Sequence, residues 1–262
     1  MPLIVSCTTV KSSDGENLVI FWKNASKTPF GPVLGEKLLK QLDTAILELQ
    51  SAYKPPKPPA TDKRHKNAEK PATCLIQKPG VCGLYHFAWW FAQGQAKTKA
   101  PVISANLIET AYKNQACIQF FRQIAPFLQI LGLIYQIIDP QDYWSALSRV
   151  RVMRARGGAW DLFCTSRRFP FHGVAVLRNL QVRPHRDRGD RKDGYTMMIC
   201  AGNFTKGHLV IPDLRIRLDF KPVDVIMFKA AILEHYLTDF EGDRTSFVFF
   251  NHQNIWNYTK LA

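Results

Sequence analysis

The stretch RPHRDRGDRKDG, Arg183 to Gly194, sets one histidine among five basic and three acidic side chains. Asp187 follows His185 by two residues, and on an extended chain that spacing puts an imidazole and a carboxylate on one face, with Arg186 and Arg188 on the other. A His-x-Asp triplet inside a charged run is most often a solvated turn. Its meaning therefore depends on what the rest of the chain supplies.

Around this stretch the chain changes character. From Phe171 onward, short apolar runs separated by turn residues follow one another: GVAVLRNLQV, YTMMICAGNF, HLVIP, RIRLDF, DVIMF and TSFVFFN. Six such runs in close succession predict a β sandwich or jelly roll over residues 171–256. Upstream, NLVIFW (Asn17 to Trp22) has the composition of a strand, and Leu38, Leu39, Leu42, Ile46 and Leu49 fall at helical spacing, so residues 1–53 open the fold with a strand and a helix. Residues 104–151 turn helical again and buttress the sheet. Between these two parts, residues 54–80 are rich in proline and lysine and form a basic loop without a core, in which Lys63 to Lys66 is a nuclear-import candidate. With no linker dividing helices from strands, the chain is expected to be a single α+β domain over residues 1–262.

Composition narrows the function classes. With 46% hydrophobic residues in 262 the chain can bury a core, which excludes global disorder. A formal net charge of +14 points to a polyanionic partner such as nucleic acid. The 6 cysteines (Cys7, Cys74, Cys82, Cys117, Cys164, Cys200) contain no Cys-x-x-Cys pair, which argues against a zinc knuckle or a disulfide framework. The most apolar stretch, Phe127 to Ile138, is too short for a membrane span and carries two glutamines. With no apolar leader at Met1, the expected location is the nucleus or the cytoplasm rather than outside the cell.

Two imidazoles and one carboxylate on one face of an ion make the centre of a non-haem Fe(II) oxygenase, leaving positions for a keto acid and dioxygen. His185 and Asp187 supply two of these ligands, and His208, His235 and His252 are candidates for the third. His235 differs from the other two because Arg244 follows nine residues later at the head of a β run. A strand, a turn and a returning strand can bring that arginine behind the metal, where its guanidinium can pair with the distal carboxylate of a keto acid.

HRD, a distal histidine and an arginine shortly beyond it resemble the 2-oxoglutarate and Fe(II) dependent dioxygenases of the double-stranded β-helix fold. More narrowly, RNLQVRPHRDRGD, GNFTKGHLVIPDLRIRLDFKPVDVIMFKAAILEH and GDRTSFVFFNHQNIW resemble the TET/JBP family of 5-methylpyrimidine DNA dioxygenases, in particular its compact members from fungi and protists. The resemblance covers roughly residues 174–256, and the N-terminal half matches only as a helical, basic support. It implies a jelly-roll core, with His185, Asp187 and His235 as iron ligands and Arg244 holding 2-oxoglutarate. It further implies that Asp190, Phe250 and His252 meet an extruded base.

The implied substrate is 5-methylcytosine in duplex DNA, with N6-methyladenine as a second base, and the implied partner is methylated double-stranded DNA, with no membrane and no obligatory protein partner. Arg186, Arg188, Arg191 and Lys192, within a basic stretch from Arg151 to Lys192, are expected to track the DNA backbone. Asn106 and Asn114 are the candidates from the N-terminal half to complete base reading. Two turns depart from the family pattern, with Val223 and Lys206 standing where glycine is common. An AlkB-like N-methyl demethylase is the alternative enzyme, although that group's second arginine is missing after Arg244. A catalytically idle nucleic-acid binding module is the alternative from another class.

Overall fold

The computed structural model describes residues 1–23, 35–57, 81–91, 100–156 and 168–260. The nuclear-import candidate Lys63 to Lys66 and most of the basic loop lie outside them, as does Arg167 of the basic stretch. Fourteen strands are described, the first five being β1 (Leu3–Ile4), β2 (Thr8–Lys11), β3 (Asn17–Trp22), β4 (Gly83–Trp90) and β5 (Val102–Ile103). Helix α1 (Glu36–Ala52) falls between β3 and β4, and α2 (Ala105–Ile108), α3 (Ala111–Ile138) and α4 (Pro140–Arg156) follow β5. The C-terminal strands are β6 (Gly173–Arg178), β7 (Thr196–Ala201), β8 (Phe204–Lys206), β9 (Leu209–Ile211), β10 (Ile216–Leu218), β11 (Val225–Phe228), β12 (Tyr236–Leu237), β13 (Phe240–Gly242) and β14 (Thr245–Phe250). Helix α5 (Gln253–Lys260) closes the described chain.

Eight strands make the large sheet, in the order β2-β3-β11-β7-β14-β6-β4-β5, and β1-β10-β9-β12 make a smaller one. The two faces of the large sheet explain why its strands read as unbroken apolar runs rather than alternating ones. Tyr85, Phe87, Val174, Val176, Met197, Ile199, Phe247 and Phe249 point to one side and pack with Leu42, Phe120, Phe121 and Leu128 of the helices. Met198, Cys200, Ile226 and Phe228 point to the other side, where they meet Leu209, Ile211, Ile216 and Leu218 of the small sheet. A third, smaller apolar group, Leu84, Ala88, Ala175, Leu177, Leu180 and Phe250, covers the end of that second face and lines a cavity.

The N-terminal half is more than a helical support. Strands β2 and β3 extend the large sheet beside β11, β4 pairs with β6 over its length, and β1 adds a parallel strand to β10. The apolar stretch Phe127 to Ile138 is the second half of α3, a helix of 28 residues that by length and composition alone could cross a membrane. Its buried face, including Phe120, Phe121, Ile124, Leu128 and Leu131, belongs instead to the core under the large sheet.

Both turns that depart from the family pattern adopt the conformation that favours glycine: φ is 70° at Val223 and 60° at Lys206. At Lys221–Asp224 the Asp224 N–H donates to the Lys221 carbonyl at 3.1 Å, with Pro222 second and Val223 third. That is the arrangement of a type II turn, whose third position wants glycine, and a β-branched side chain there is strained. Val223→Gly is therefore expected to raise stability by about 0.5–1 kcal/mol, the relief of strain being partly offset by the freer unfolded chain. Thermal unfolding checks this: the midpoint should rise by about 2 °C, and a fall would show that Val223 packing outweighs the strain.

Candidate active site

His185 and Asp187 do not lie on a ladder strand. Pro184 lacks an N–H to donate, and the segment makes only single bridges, His185 with His235 and Asp190 with His252. The first of these is decisive. The His185 N–H donates to the His235 carbonyl at 3.1 Å and the His235 N–H to the His185 carbonyl at 2.9 Å, which sets the two imidazoles side by side with ring centroids 4.3 Å apart. The Asp187 N–H donates to the Ala230 carbonyl at 2.9 Å and so joins the same two segments.

Each imidazole is oriented by its own backbone. Nδ1 of His185 donates to the Arg183 carbonyl at 2.8 Å, and Nδ1 of His235 donates to the Leu233 carbonyl at 3.0 Å. With Nδ1 engaged in this way, Nε2 is the atom that each ring offers to a metal. The two Nε2 atoms each lie 3.6 Å from a carboxylate oxygen of Asp187, and the three ligating atoms fall within 4.8 Å of one another. Among the three candidate histidines the structure thus selects His235. His208 instead lies with its Nδ1 3.5 Å from Asp219 and does not line the cavity.

Arg244, only 2% exposed, lines the same cavity of about 310 Å³. Its backbone is held by Asn179, whose Oδ1 accepts the Arg244 N–H at 2.8 Å. Its guanidinium carbon lies 5.1 Å from the ring centre of Phe204, 5.7 Å from that of Phe220 and 5.9 Å from that of Phe240. One terminal nitrogen donates to the Ser246 hydroxyl, whereas Nε and the other terminal nitrogen have no hydrogen-bond partner among the described residues. Burial pushes its pKa down from the usual arginine value, opposed by the neighbouring Cys200. A buried cation with orphaned donors fits a missing carboxylate. The donor set at the other end, two imidazoles and a carboxylate, fits Fe(II).

Asp190, Phe250 and His252 line this cavity as well. Asp190 is buried, and its carboxylate accepts from His252 Nδ1 at 3.0 Å and from the Thr196 hydroxyl at 3.1 Å. Burial raises the Asp190 pKa, and both hydrogen bonds oppose that rise. Asp190 therefore holds His252 as well as facing the cavity, and leaves His252 Nε2 as the imidazole atom free of that bond. The Phe250 ring lies against Gly173, where an added Cβ would come within 2.3 Å of it, so any larger residue there would force the ring to shift. The ring centres of Phe250 and His252 are 4.6 Å apart.

Several expectations need correction. Arg191 is not at the surface: it is 5% exposed, pairs with Asp142 at 2.6 Å and Asp193 at 3.1 Å, and stacks 3.6 Å from the ring centre of Trp256. That makes it a strut between α4, the site loop and α5, with no free face for a phosphate. Arg186 does face away from the ligands, but its guanidinium is taken by Asp213 and Glu234. Arg188 and Lys192 are exposed. Asn106 accepts the His86 N–H at 2.7 Å and donates to the Tyr53 hydroxyl at 3.1 Å, and Asn114 donates to the Leu107 carbonyl at 2.7 Å. Both brace the N-terminal half, and neither lines the cavity.

The N-terminal half contributes His86 and Trp90 instead, both on the cavity face of β4. His86 is registered against Ala175, and Ala175 against Val248, so it stands at the end of a row of small and apolar side chains across the sheet. Nothing in the local sequence marks it as a site residue, because only the pairing of β4 with β6 brings it there.

The family model for the oxygenase domain of the 2OGFeDO superfamily, Tet_JBP, matches residues 91–253. No curated protein matches the chain. Among solved structures, the fold is similar to NgTET1 in complex with 5mC DNA, with a TM-score of 0.61 and 13% identity over 96% of this chain and 78% of that one. The chain is more distantly similar to a C-terminally truncated protein of Neurospora crassa in its apo form, with 14% identity, a TM-score of 0.36 and coverage of 89% and 82%. A 2OG-Fe(II) oxygenase family oxidoreductase from Burkholderia pseudomallei shares 24% identity over 32% of this chain and 46% of that one, with a TM-score of 0.28.

Proposed function

The chain belongs to the Tet/JBP family of 2-oxoglutarate and Fe(II) dependent oxygenase domains, and from that premise we propose that it oxidises the methyl group of 5-methylcytosine in duplex DNA. The observation that carries this reading is a single cavity holding the His185, Asp187 and His235 trio, the orphaned Arg244 guanidinium and the Asp190, Phe250 and His252 group together. Fe(II) and 2-oxoglutarate, when bound, would activate dioxygen, one oxygen atom going into succinate as carbon dioxide leaves the keto acid and the other into the C–H bond of the methyl group.

The protein's own residues bind and position. His185, Asp187 and His235 hold the iron, and Arg244 receives the distal carboxylate of 2-oxoglutarate in a water-poor end lined by Phe204, Phe220 and Phe240. A base inside a duplex cannot reach a cavity of this kind, so the target nucleotide is extruded. The Phe250 ring offers a flat face for stacking, and His252 with Asp190 faces the polar edge of the base. With Nδ1 donating to Asp190, His252 Nε2 is an acceptor for an exocyclic amine. His86 and Trp90 wall the pocket from β4.

Arg188 and Lys192, exposed beside the site loop, contact the phosphate backbone, in keeping with the net charge of +14. With chromosomal DNA as the proposed substrate, the proposed working location is the nucleus. N6-methyladenine also offers an exocyclic nitrogen to His252 and is the second base to assay.

His252→Ala separates base reading from cofactor turnover. Losing one hydrogen bond to the base is expected to lower methylcytosine oxidation about 10- to 100-fold. Succinate formed without DNA should stay within about twofold of wild type, since His252 is outside the ligand trio. Equal loss in both assays would count against a base-reading role.

A further inference from the structure

Arg186 stands between two ligand positions, and its side chain turns away from them into the loop that carries the third. Its Nε donates to the Ile232 carbonyl at 2.8 Å, one terminal nitrogen lies 3.4 Å from Glu234, and the other donates to both oxygens of Asp213 at 2.9 and 3.0 Å. Asp213 also accepts the backbone N–H of Glu234, the residue before His235, at 2.6 Å. One carboxylate thereby grips Arg186 between His185 and Asp187 on one segment and the peptide leading into His235 on the other.

We propose that Arg186 and Asp213 form a clamp that positions the metal ligands, so that residue 186 sets metal affinity and makes no DNA contact. One terminal nitrogen holds both oxygens of Asp213 while Nε holds the Ile232 carbonyl, which gives the guanidinium direction as well as charge, and the shared Glu234 N–H makes the coupling between the two segments mechanical. The backbone bridge between His185 and His235 fixes how far apart the segments run, and the clamp fixes their rotation about that bridge. The rotation decides whether the two Nε2 atoms and the Asp187 carboxylate converge. Partners hydrogen-bonded to a ligand side chain typically change metal affinity by about 10- to 100-fold when removed, and the clamp, which acts through the backbone carrying the ligands, is expected at the lower end of that range.

The inference rests on the metal centre and not on the identity of the substrate. It is tested by titrating Co(II), as an oxygen-stable probe, into wild type, Arg186→Met, Arg186→Lys and Asp213→Asn, following the visible absorption bands of the bound ion. Affinity for an unmodified DNA duplex is measured on the same proteins. The expected result is a Co(II) dissociation constant raised about 10-fold in Arg186→Met and Asp213→Asn, with altered band positions. Partial recovery is expected in Arg186→Lys, which keeps the charge but loses the fork. Duplex affinity should stay within about twofold in Arg186→Met and Arg186→Lys, because the wild-type Arg186 is already paired.

Wild-type Co(II) affinity in both Arg186→Met and Asp213→Asn overturns the clamp while leaving the site reading intact, and loss of duplex affinity with metal affinity kept would return Arg186 to the phosphate track. A wild type that binds no Co(II) contradicts the site reading itself. Asp213 lies on a different segment from Arg186, so Asp213→Asn carries the test should Arg186→Met not fold.

Discussion

His235→Ala is expected to bring methylcytosine oxidation and 2-oxoglutarate turnover down to background, a fall of about a thousandfold or more, while duplex DNA still binds. The reasoning starts from the backbone. His185 and His235 are brought together by a pair of main-chain hydrogen bonds, at 3.1 and 2.9 Å, which survive the loss of an imidazole. The substitution therefore removes one ligand without separating the two segments. What remains, His185 and Asp187, cannot hold the ion on three points of one face. The comparison to make is the rate of succinate formation beside duplex affinity in the same preparation. Retained turnover, or loss of DNA binding as the main effect, would show that the trio is not the metal centre.

The second large effect is expected at Arg244. Arg244→Met keeps the length of the side chain and removes the two orphaned donors, costing about 3 kcal/mol of 2-oxoglutarate binding and raising KM for it about a hundredfold. The same change should leave the cofactor-free protein as stable as wild type or more so. The guanidinium is buried without a carboxylate partner among the described residues, and replacing such a charge by an apolar side chain of similar volume is often neutral or stabilising. Thermal melts with and without 2-oxoglutarate and metal read both halves of this expectation: stabilisation by the keto acid is lost, while the midpoint without it holds or rises. An unchanged KM, or a variant that melts far below wild type without ligand, would assign Arg244 a purely structural part.

How much of this was written in the sequence depends on the distance over which the information runs. His185 and Asp187 were legible as a pair because their spacing is local, and Arg244 singled out His235 because strand, turn and strand fit between them. Helices α1 and α3 announced themselves by period. The long apolar runs of β6, β7, β11 and β14 reflected a sheet buried on both faces. Strand β4 was not legible: its aromatic run has no alternation, and its place in the sheet is decided by pairing with β6, nearly a hundred residues on in the chain. The sequence therefore does not mark His86 and Trp90 as cavity residues, whereas Asn106 and Asn114 stand out in it by polarity alone.

The arginines teach the same lesson from the side of charge. Arg186, Arg188 and Arg191 look alike in RPHRDRGDRKDG, yet Arg186 is clamped to Asp213, Arg191 is buried against Asp142 and Trp256, and only Arg188 is exposed. Their partners come from the β9–β10 turn, the loop before β12, α4 and α5 as well as from neighbouring Asp193, and no local pattern separates the three arginines. A basic run records how much positive charge the chain carries, and the fold decides which of it faces solvent.

The central claim, that this cavity oxidises a methylated cytosine, is tested most directly by incubating the protein with Fe(II), 2-oxoglutarate and duplex DNA carrying either 5-methylcytosine or N6-methyladenine, then digesting the DNA to nucleosides for mass spectrometry. The predicted result is that 5-methylcytosine is consumed and oxidised cytosine appears, in proportion to succinate. Loss of N6-methyladenine with 5-methylcytosine untouched, or no change in either base, would contradict it.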